Sequence, residues 1–538
     1  MALAPRPYRI EEYTRTVCPR CFKERPRASD EPGVWKDGMV VSHGGSLWMR
    51  RFCSAHGATE SLYEEDESLW RAREGWGTPT LEVTPDRASN FGGSPQAYAE
   101  GLPASHGQHT CILLLNLTQR CNYSCPTCYA AAQAPGAPRP DPELPSRQEI
   151  LHTVRTAIER EGGKLSVLML SGGEPTIRED LAAIIDDLLL LPITRIMLNT
   201  NGRRLARDDR FLEWLAARRE RIEVYLQFDG ADAQVAQVLR GEDVTAEKQI
   251  VLQRLDQAGI WSTLVMTIAR GLNEHLVGEV VQLGLGTPRC AGIALQPVFG
   301  SGRSAGFDPL SRSTPTGVLK RLGEQTQGVV SADDFIPLPC SHRDCCDITY
   351  LLRGQDDRWR SLPRLVGRDE LKKWLHVVSN TIAFDAVAEP VRAMVQSGVL
   401  ARVFSEQMPV RAEALGADLS WMCDCVPGLP ELLGGAWKRI RSTGSSPAST
   451  WQALRNPQQA VLDSLAERTF RITVKMFMDA HTFHEARLRQ CCVHTGTFES
   501  DPRRYSFCWR WLFADASDFP EAPAQNFIPL HSVARSGL

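Results

Sequence analysis

Residues Cys111–Cys128 read CILLLNLTQRCNYSCPTC, an apolar run followed by three cysteines in eight residues. The run is short, continuous and aliphatic, which suits a strand buried on both faces. Cys121, Cys125 and Cys128 follow where that strand must end. A closed structural zinc site takes four ligands, so a compact set of three points to a metal centre with one position left open for chemistry.

Outward from this stretch, the pattern holds from 111 to about 300. Six apolar runs (CILLLNL, KLSVLML, TRIMLNT, RIEVYLQF, STLVMTI, GIALQPV) alternate with amphipathic stretches such as RQEILHTVRTAIERE and EKQIVLQRLDQAG. Strands without strict alternation, separated by helices of this length, predict a parallel sheet covered on both sides. The expected fold is therefore α/β, a partial (β/α)6 barrel over 106–305. Functional groups belong at the C-terminal ends of its strands. CNYSCPTC follows the first strand, SGGEPT the second, TNG the third and DG the fourth, so four motifs converge on one rim.

The flanks read differently. Residues 1–105 are a polar module ending in a Gly- and Pro-rich linker, and 306–538 lose the alternating rhythm. That C-terminal part carries PLPCSHRDCC, the linker STGSSPAST and a last cysteine-bearing module, and it is expected to cover the open barrel.

Composition bounds the function. The 538 residues are 43% hydrophobic and 23% charged, and 61 Lys+Arg against 64 Asp+Glu leave a formal net charge of -3. Nothing in this balance favours nucleic acid. The N-terminus has no apolar leader, and LAAIIDDLLLL is broken by Asp186 and Asp187, so no transmembrane segment is expected and the chain reads as cytoplasmic. Sixteen cysteines in a reducing compartment, many in tight pairs and triplets, suit metal chelation better than disulfides. Oligomeric state is not legible.

The C-x3-C-x2-C spacing of Cys121, Cys125 and Cys128, with SGGEPT after the next strand, resembles the radical S-adenosylmethionine (SAM) superfamily. The resemblance implies a [4Fe-4S] cluster held by the three cysteines, with SAM chelating the fourth iron and cleaved to a 5'-deoxyadenosyl radical. It also implies cofactor contacts from Gly172, Gly173 and Glu174, and from Asn201, Gln227 and Asp229 at later strand ends. The superfamily often carries an aromatic residue just before the third cysteine. Here that position is Thr127, and Tyr129 after the cysteine is the candidate adenine contact. No side chain is required as acid or base in the first step.

The remaining cysteines suggest further centres. Cys18, Cys21, Cys53 and His56 form a four-ligand set suited to zinc or a rubredoxin-like iron, with Cys111 an alternative fourth ligand. Cys340, Cys345, Cys491 and Cys508 are the expected ligands of an auxiliary [4Fe-4S] cluster, one member of each CC pair turning away. Cys290, Cys423 and Cys425 read as core thiols.

An ordered series narrows the resemblance: CPRC and CSAHG near the N-terminus, HTC before the triplet, LQFDG, QPV with Gly302 and Arg303, PLPCSH, FMDAHTF and RQCC. The series is similar to the archaeal tetraether lipid synthase and pterin-methylating radical SAM group. It implies hydrogen abstraction from an unactivated carbon, then C–C bond formation on a lipid alkyl chain or methylation of a pterin-like ring, fed by a reducing electron donor. A lipid substrate would bring the enzyme to the membrane periphery. The group carries additional cysteines before HTC where this chain has only Cys111, so one auxiliary cluster is expected to be missing. Outside the enzyme class, an iron-sulfur electron carrier and a zinc-stabilised scaffold compete.

Overall fold

In the computed structural model the described residues are 7–24, 34–76, 83–87, 94–136, 144–304, 308–353, 357–373 and 469–513. Cys423, Cys425 and the STGSSPAST linker lie outside them.

The N-terminal module is an antiparallel sheet of β1 (Arg9–Val17), β2 (Trp35–His43), β3 (Ser46–Cys53) and β4 (Gly57–Glu64), paired in that order. The β2–β3 hairpin turns on Gly44 and Gly45, both at positive φ (62° and 78°), as a two-residue turn matched to strand twist requires. Val40, Leu47, Met49, Tyr63 and Trp70 form its own small core.

All six expected strands are present: β5 (Ile112–Asn116), β6 (Leu165–Ser171), β7 (Ile193–Thr200), β8 (Ile222–Gln227), β9 (Ser262–Ile268) and β10 (Cys290–Pro297). Each pairs in parallel with the next. Between β5 and β6 the helix Arg147–Arg160 starts at a capping box in which Ser146 and Glu149 each satisfy the other's backbone N–H.

The C-terminal region departs from the expectation of a separate covering domain, because it also extends the sheet. It adds β11 (Ile336–Pro337), β12 (Cys346–Arg353), β13 (Trp359–Ser361), β14 (Thr469–Lys475), β15 (Val493–Gly496) and β16 (Arg504–Ser506). The order is β11-β12-β14-β10-β9-β8-β7-β6-β5-β15-β16, with β13 on β12. Since β14 runs parallel to β10 and β15 parallel to β5, the run of parallel strands grows from six to eight.

Two cores follow from strand alternation. Leu113, Leu115, Leu168, Leu170, Leu198 and Leu226 face the outer helices. Ile112, Leu114, Val167, Met169, Met197, Tyr225, Val265 and Ala294 face inward, where Trp35 and the helix Phe507–Phe513 pack against them. The N- and C-terminal modules thus fill the concave side that the barrel strands leave open. Among the described residues no helix is long and apolar enough to cross a membrane.

Candidate functional site

The inward alternation changes character at the strand ends. Two residues beyond the apolar inward positions, Asn116, Ser171, Asn199, Gln227, Thr267 and Gln296 close the six barrel strands. Hydrogen bonds link several of them. Asn199 donates to Ser171 Oγ at 2.9 Å and Gln227 to Asn199 Oδ1 at 3.0 Å, while Gln296 donates to Tyr225 OH at 3.0 Å. Arg240 joins the chain through a bidentate pair with Asp229 (2.5 and 2.8 Å) and a bond to Thr267 Oγ1 at 3.1 Å. Asp229 and Gln227, both singled out from sequence, are thus held by a buried guanidinium that sequence reasoning missed.

The CNYSCPTC loop crosses this rim and is gripped from several sides. Tyr123 packs against Ala236 and Val244 beside Cys121 and Cys125. Its hydroxyl donates to Glu247 at 2.7 Å, and Arg203 lies 4.2 Å from its ring centroid. Buried Lys248 sits 5.4 Å from the same ring and donates to Asn201 O, and burial, then the neighbouring Arg240 charge, lowers its ammonium to about 8. From the turn that follows the sixth barrel strand, Arg303 donates to Cys125 O and Ala132 O, both at 2.7 Å, and Ser304 to Thr127 O at 2.9 Å. Gly302 sits at φ 54°, and a Cβ there would lie 2.3 Å from Tyr129 O, so this approach admits only glycine.

Gly172 and Gly173 serve a close approach within the chain: a Cβ would lie 2.3 Å from Thr118 O or 2.1 Å from Arg120 O. Their backbone is thereby locked to the residues leading into Cys121, with Gly173 N bonded to Thr118 O at 2.7 Å and Glu174 N to Arg120 O at 2.9 Å. The buried Glu174 carboxylate accepts from Thr176 N, Thr176 Oγ1 and Thr200 Oγ1 on one oxygen and from Asn201 N on the other. It braces the SGGEPT loop against the TNG loop. Asn201 in turn donates to Asn122 Oδ1 at 2.6 Å, tying TNG to the cysteine loop.

The thiols of Cys121, Cys125 and Cys128 lie near enough to act on one another electrostatically, and burial pushes Cys121 and Cys125 upward. As a set they are not drawn within 4.8 Å of one another, unlike two other groups among the described residues. That wider spacing fits an iron-sulfur cube, in which each thiolate binds a different iron. Tyr129 turns into an aromatic cluster, with ring centroids 5.0 Å from Trp511 and 5.7 Å from Phe299 and Phe507. Thr127 donates to Leu239 O at 3.0 Å.

Cys18, Cys21, Cys53 and His56 do come together, their ligand atoms within 4.8 Å of one another, so Cys111 is not the fourth member. Cys21 to Cys53 is 3.6 Å, and His56 Nδ1 lies 3.3 to 3.7 Å from the three thiols. The proposed four-cysteine auxiliary set is divided. Cys345, Cys491 and Cys508 are electrostatic neighbours, and Arg487 donates to Cys345 Sγ at 3.4 Å. Cys340 instead faces Cys492 at 3.9 Å and groups with Cys111. Each CC pair lets successive side chains diverge, so Cys492 is a member of another group and not a spare.

Beside the cysteine loop lies a cavity of about 340 Å³, lined among others by Asn116, Glu149, Gly172, Thr497, Arg510 and Trp511. The radical SAM superfamily matches residues 115–284, the part that holds the cysteine loop and barrel strands β6 to β9. The chain carries a radical SAM domain. Its residues 10–65 match the HMPTM N-terminal zinc ribbon domain, which contains Cys18, Cys21, Cys53 and His56. The enzyme is 25% identical over 511 residues to a 7,8-dihydro-6-hydroxymethylpterin dimethyltransferase of Methanocaldococcus jannaschii, covering 93% of each chain. It is 31% identical to a GTP 3',8-cyclase of Tolumonas auensis over 31% of its length and 47% of the relative's. Among solved structures it is similar to SuiB of Streptococcus suis bound to S-adenosylmethionine, at TM-score 0.34 and 16% identity over 41% of this chain and 47% of that one. A radical SAM domain implies a [4Fe-4S] cluster and SAM.

Proposed function

We propose that this radical SAM enzyme methylates a small, polar, pterin-like ring, with Cys121, Cys125 and Cys128 holding the cluster. The observation that carries the choice of substrate is the lining of the barrel mouth. Six strands end inward in amide or hydroxyl side chains, and one of these, Asn116, lines a cavity of about 340 Å³ together with Thr118, Gln119, Glu149, Thr497 and Arg510. A pocket of this size with converging hydrogen-bonding groups suits a heterocycle. An alkyl chain would require an extended apolar groove, and would leave the buried Asn116 Oδ1, which has no hydrogen-bond partner among the described residues, unsatisfied. The relative that spans 93% of the chain is named for a pterin, which supports the same reading.

When bound, the cluster and SAM supply one-electron cleavage of SAM and a 5'-deoxyadenosyl radical. The chain's own part is to hold and orient. Arg303 and Tyr123 fix the cysteine loop, Glu174 fixes the SGGEPT and TNG loops together, and Gln227 and Asp229 are presented by Arg240. Tyr129, Gly172, Gly173, Glu174, Asn201, Gln227 and Asp229 remain the candidate cofactor contacts. The helix Phe507–Phe513 lies over the mouth and excludes water from a reactive intermediate. Cys345, Cys491 and Cys508 are the candidate auxiliary cluster ligands, and the N-terminal set takes one zinc or iron.

The test is anaerobic turnover with dithionite and SAM, offering a dihydropterin and a dialkyl glycerol lipid in parallel. A methylated ring by mass spectrometry is expected. Coupled alkyl chains with an untouched pterin would overturn the assignment.

A further inference from the structure

The sheet is long and open, yet chain from both of its margins meets at one cluster of side chains. Cys111 immediately precedes β5 and Cys492 immediately precedes β15, and Cys492 O accepts from Cys111 N at 3.0 Å and Ile112 N at 3.2 Å. Cys340 comes from the other margin, on the loop between β11 and β12. All three thiols are buried, and their sulfurs lie within 4.8 Å of one another, with Cys340 to Cys492 at 3.9 Å. His109 Nε2 is 3.1 Å from Cys111 Sγ but not within 4.8 Å of all three thiols, so it becomes a fourth donor once its ring turns toward Cys340 and Cys492.

Spacing decides what such a group can hold. Ligands of one tetrahedral ion with Zn–S near 2.3 Å are about 3.8 Å apart. The ribbon set of Cys18, Cys21, Cys53 and His56 shows the same compactness, with contacts from 3.3 to 3.7 Å. The Cys121, Cys125 and Cys128 set is wider, as a cube demands. We propose that His109, Cys111, Cys340 and Cys492 form a second mononuclear metal site, a closed Cys3His centre for zinc or ferrous iron. It ties the β11–β12 loop to the leading ends of β5 and β15. The thiols left where the resembling group carries additional cysteines are, in this chain, the ligands of a single ion. Four ligands leave no open position, so the site is structural. The inference does not depend on the substrate assigned above.

The test uses the full-length protein purified anaerobically, with zinc and iron counted per chain and the cluster followed by electron paramagnetic resonance. Wild type is expected to hold two mononuclear ions beyond the cluster irons. Cys340→Ser is expected to lose one of them, leaving the ribbon ion and the reduced-cluster signal in place. Retention of both ions overturns the proposal, and so does loss of iron in fours. Because Cys340→Ser can fail to fold, His109→Cys is the second variant, read after cobalt(II) loading. It should keep its ion and gain thiolate-to-cobalt charge-transfer absorption relative to wild type; an unchanged cobalt spectrum overturns the site.

Discussion

Arg303 makes two charge-assisted hydrogen bonds to carbonyls of the cysteine loop, Cys125 O and Ala132 O, from a turn that only glycine at 302 permits. Hydrogen bonds from charged groups contribute about 1.5–3 kcal/mol each. Arg303→Ala is expected to lower iron incorporation at the radical SAM cluster and the unfolding midpoint together, with partial recovery in Arg303→Lys. Iron content equal to wild type would show that the loop is held without it. Glu174 makes a parallel case, since its carboxylate answers four donors of its own loops. Glu174→Ala is expected to destabilise by about 1–3 kcal/mol, the cost of orphaned buried groups, measured by denaturant unfolding. Residue type and spacing made the cysteine triplet and the ribbon ligands legible in the sequence. Partnership was not: Cys340 and Cys492 are separated by 152 positions, and only the folded chain decides which thiol of a CC pair faces which neighbour.

At the level of elements, the six barrel strands were readable because each is a continuous apolar run bounded by a polar helix. Their packing sets a testable cost. Leu168 of β6 is fully buried against the outer helices, and Leu168→Ala is expected to cost about 2–5 kcal/mol in unfolding experiments. A loss below 1 kcal/mol would mean that this layer is not the main core. The strands β14 and β15 were not legible. TFRITVK lies far from β10 in sequence, and VHTG is too short to show a period. Their place in the sheet is set by parallel pairing with β10 and β5, a tertiary fact.

The molecule buries His106 and His342 in neutral form, and this makes it acid-sensitive. Burial lowers His106 to about 4 from 6.5, where it contacts Tyr98 OH at 2.9 Å, and lowers His342 likewise to about 4. The unfolded chain binds these protons first as pH falls, so stability is full above pH 6.5 and declines down to pH 4. Each group contributes a slope of at most about 1.4 kcal/mol per pH unit. The unfolding midpoint should fall between pH 6.5 and 4, less steeply in His106→Gln; a flat profile would contradict the neutral burial.

At this same scale the ribbon, barrel and C-terminal strands pack on one sheet, and the chemistry assigned to its rim rests on the three thiols of Cys121, Cys125 and Cys128. The most direct measurement is dithionite-dependent release of 5'-deoxyadenosine from SAM by the reconstituted full-length enzyme, beside the variant with Cys121, Cys125 and Cys128 all replaced by Ala. Release by wild type and none by the variant is expected. Equal release from both would contradict the account.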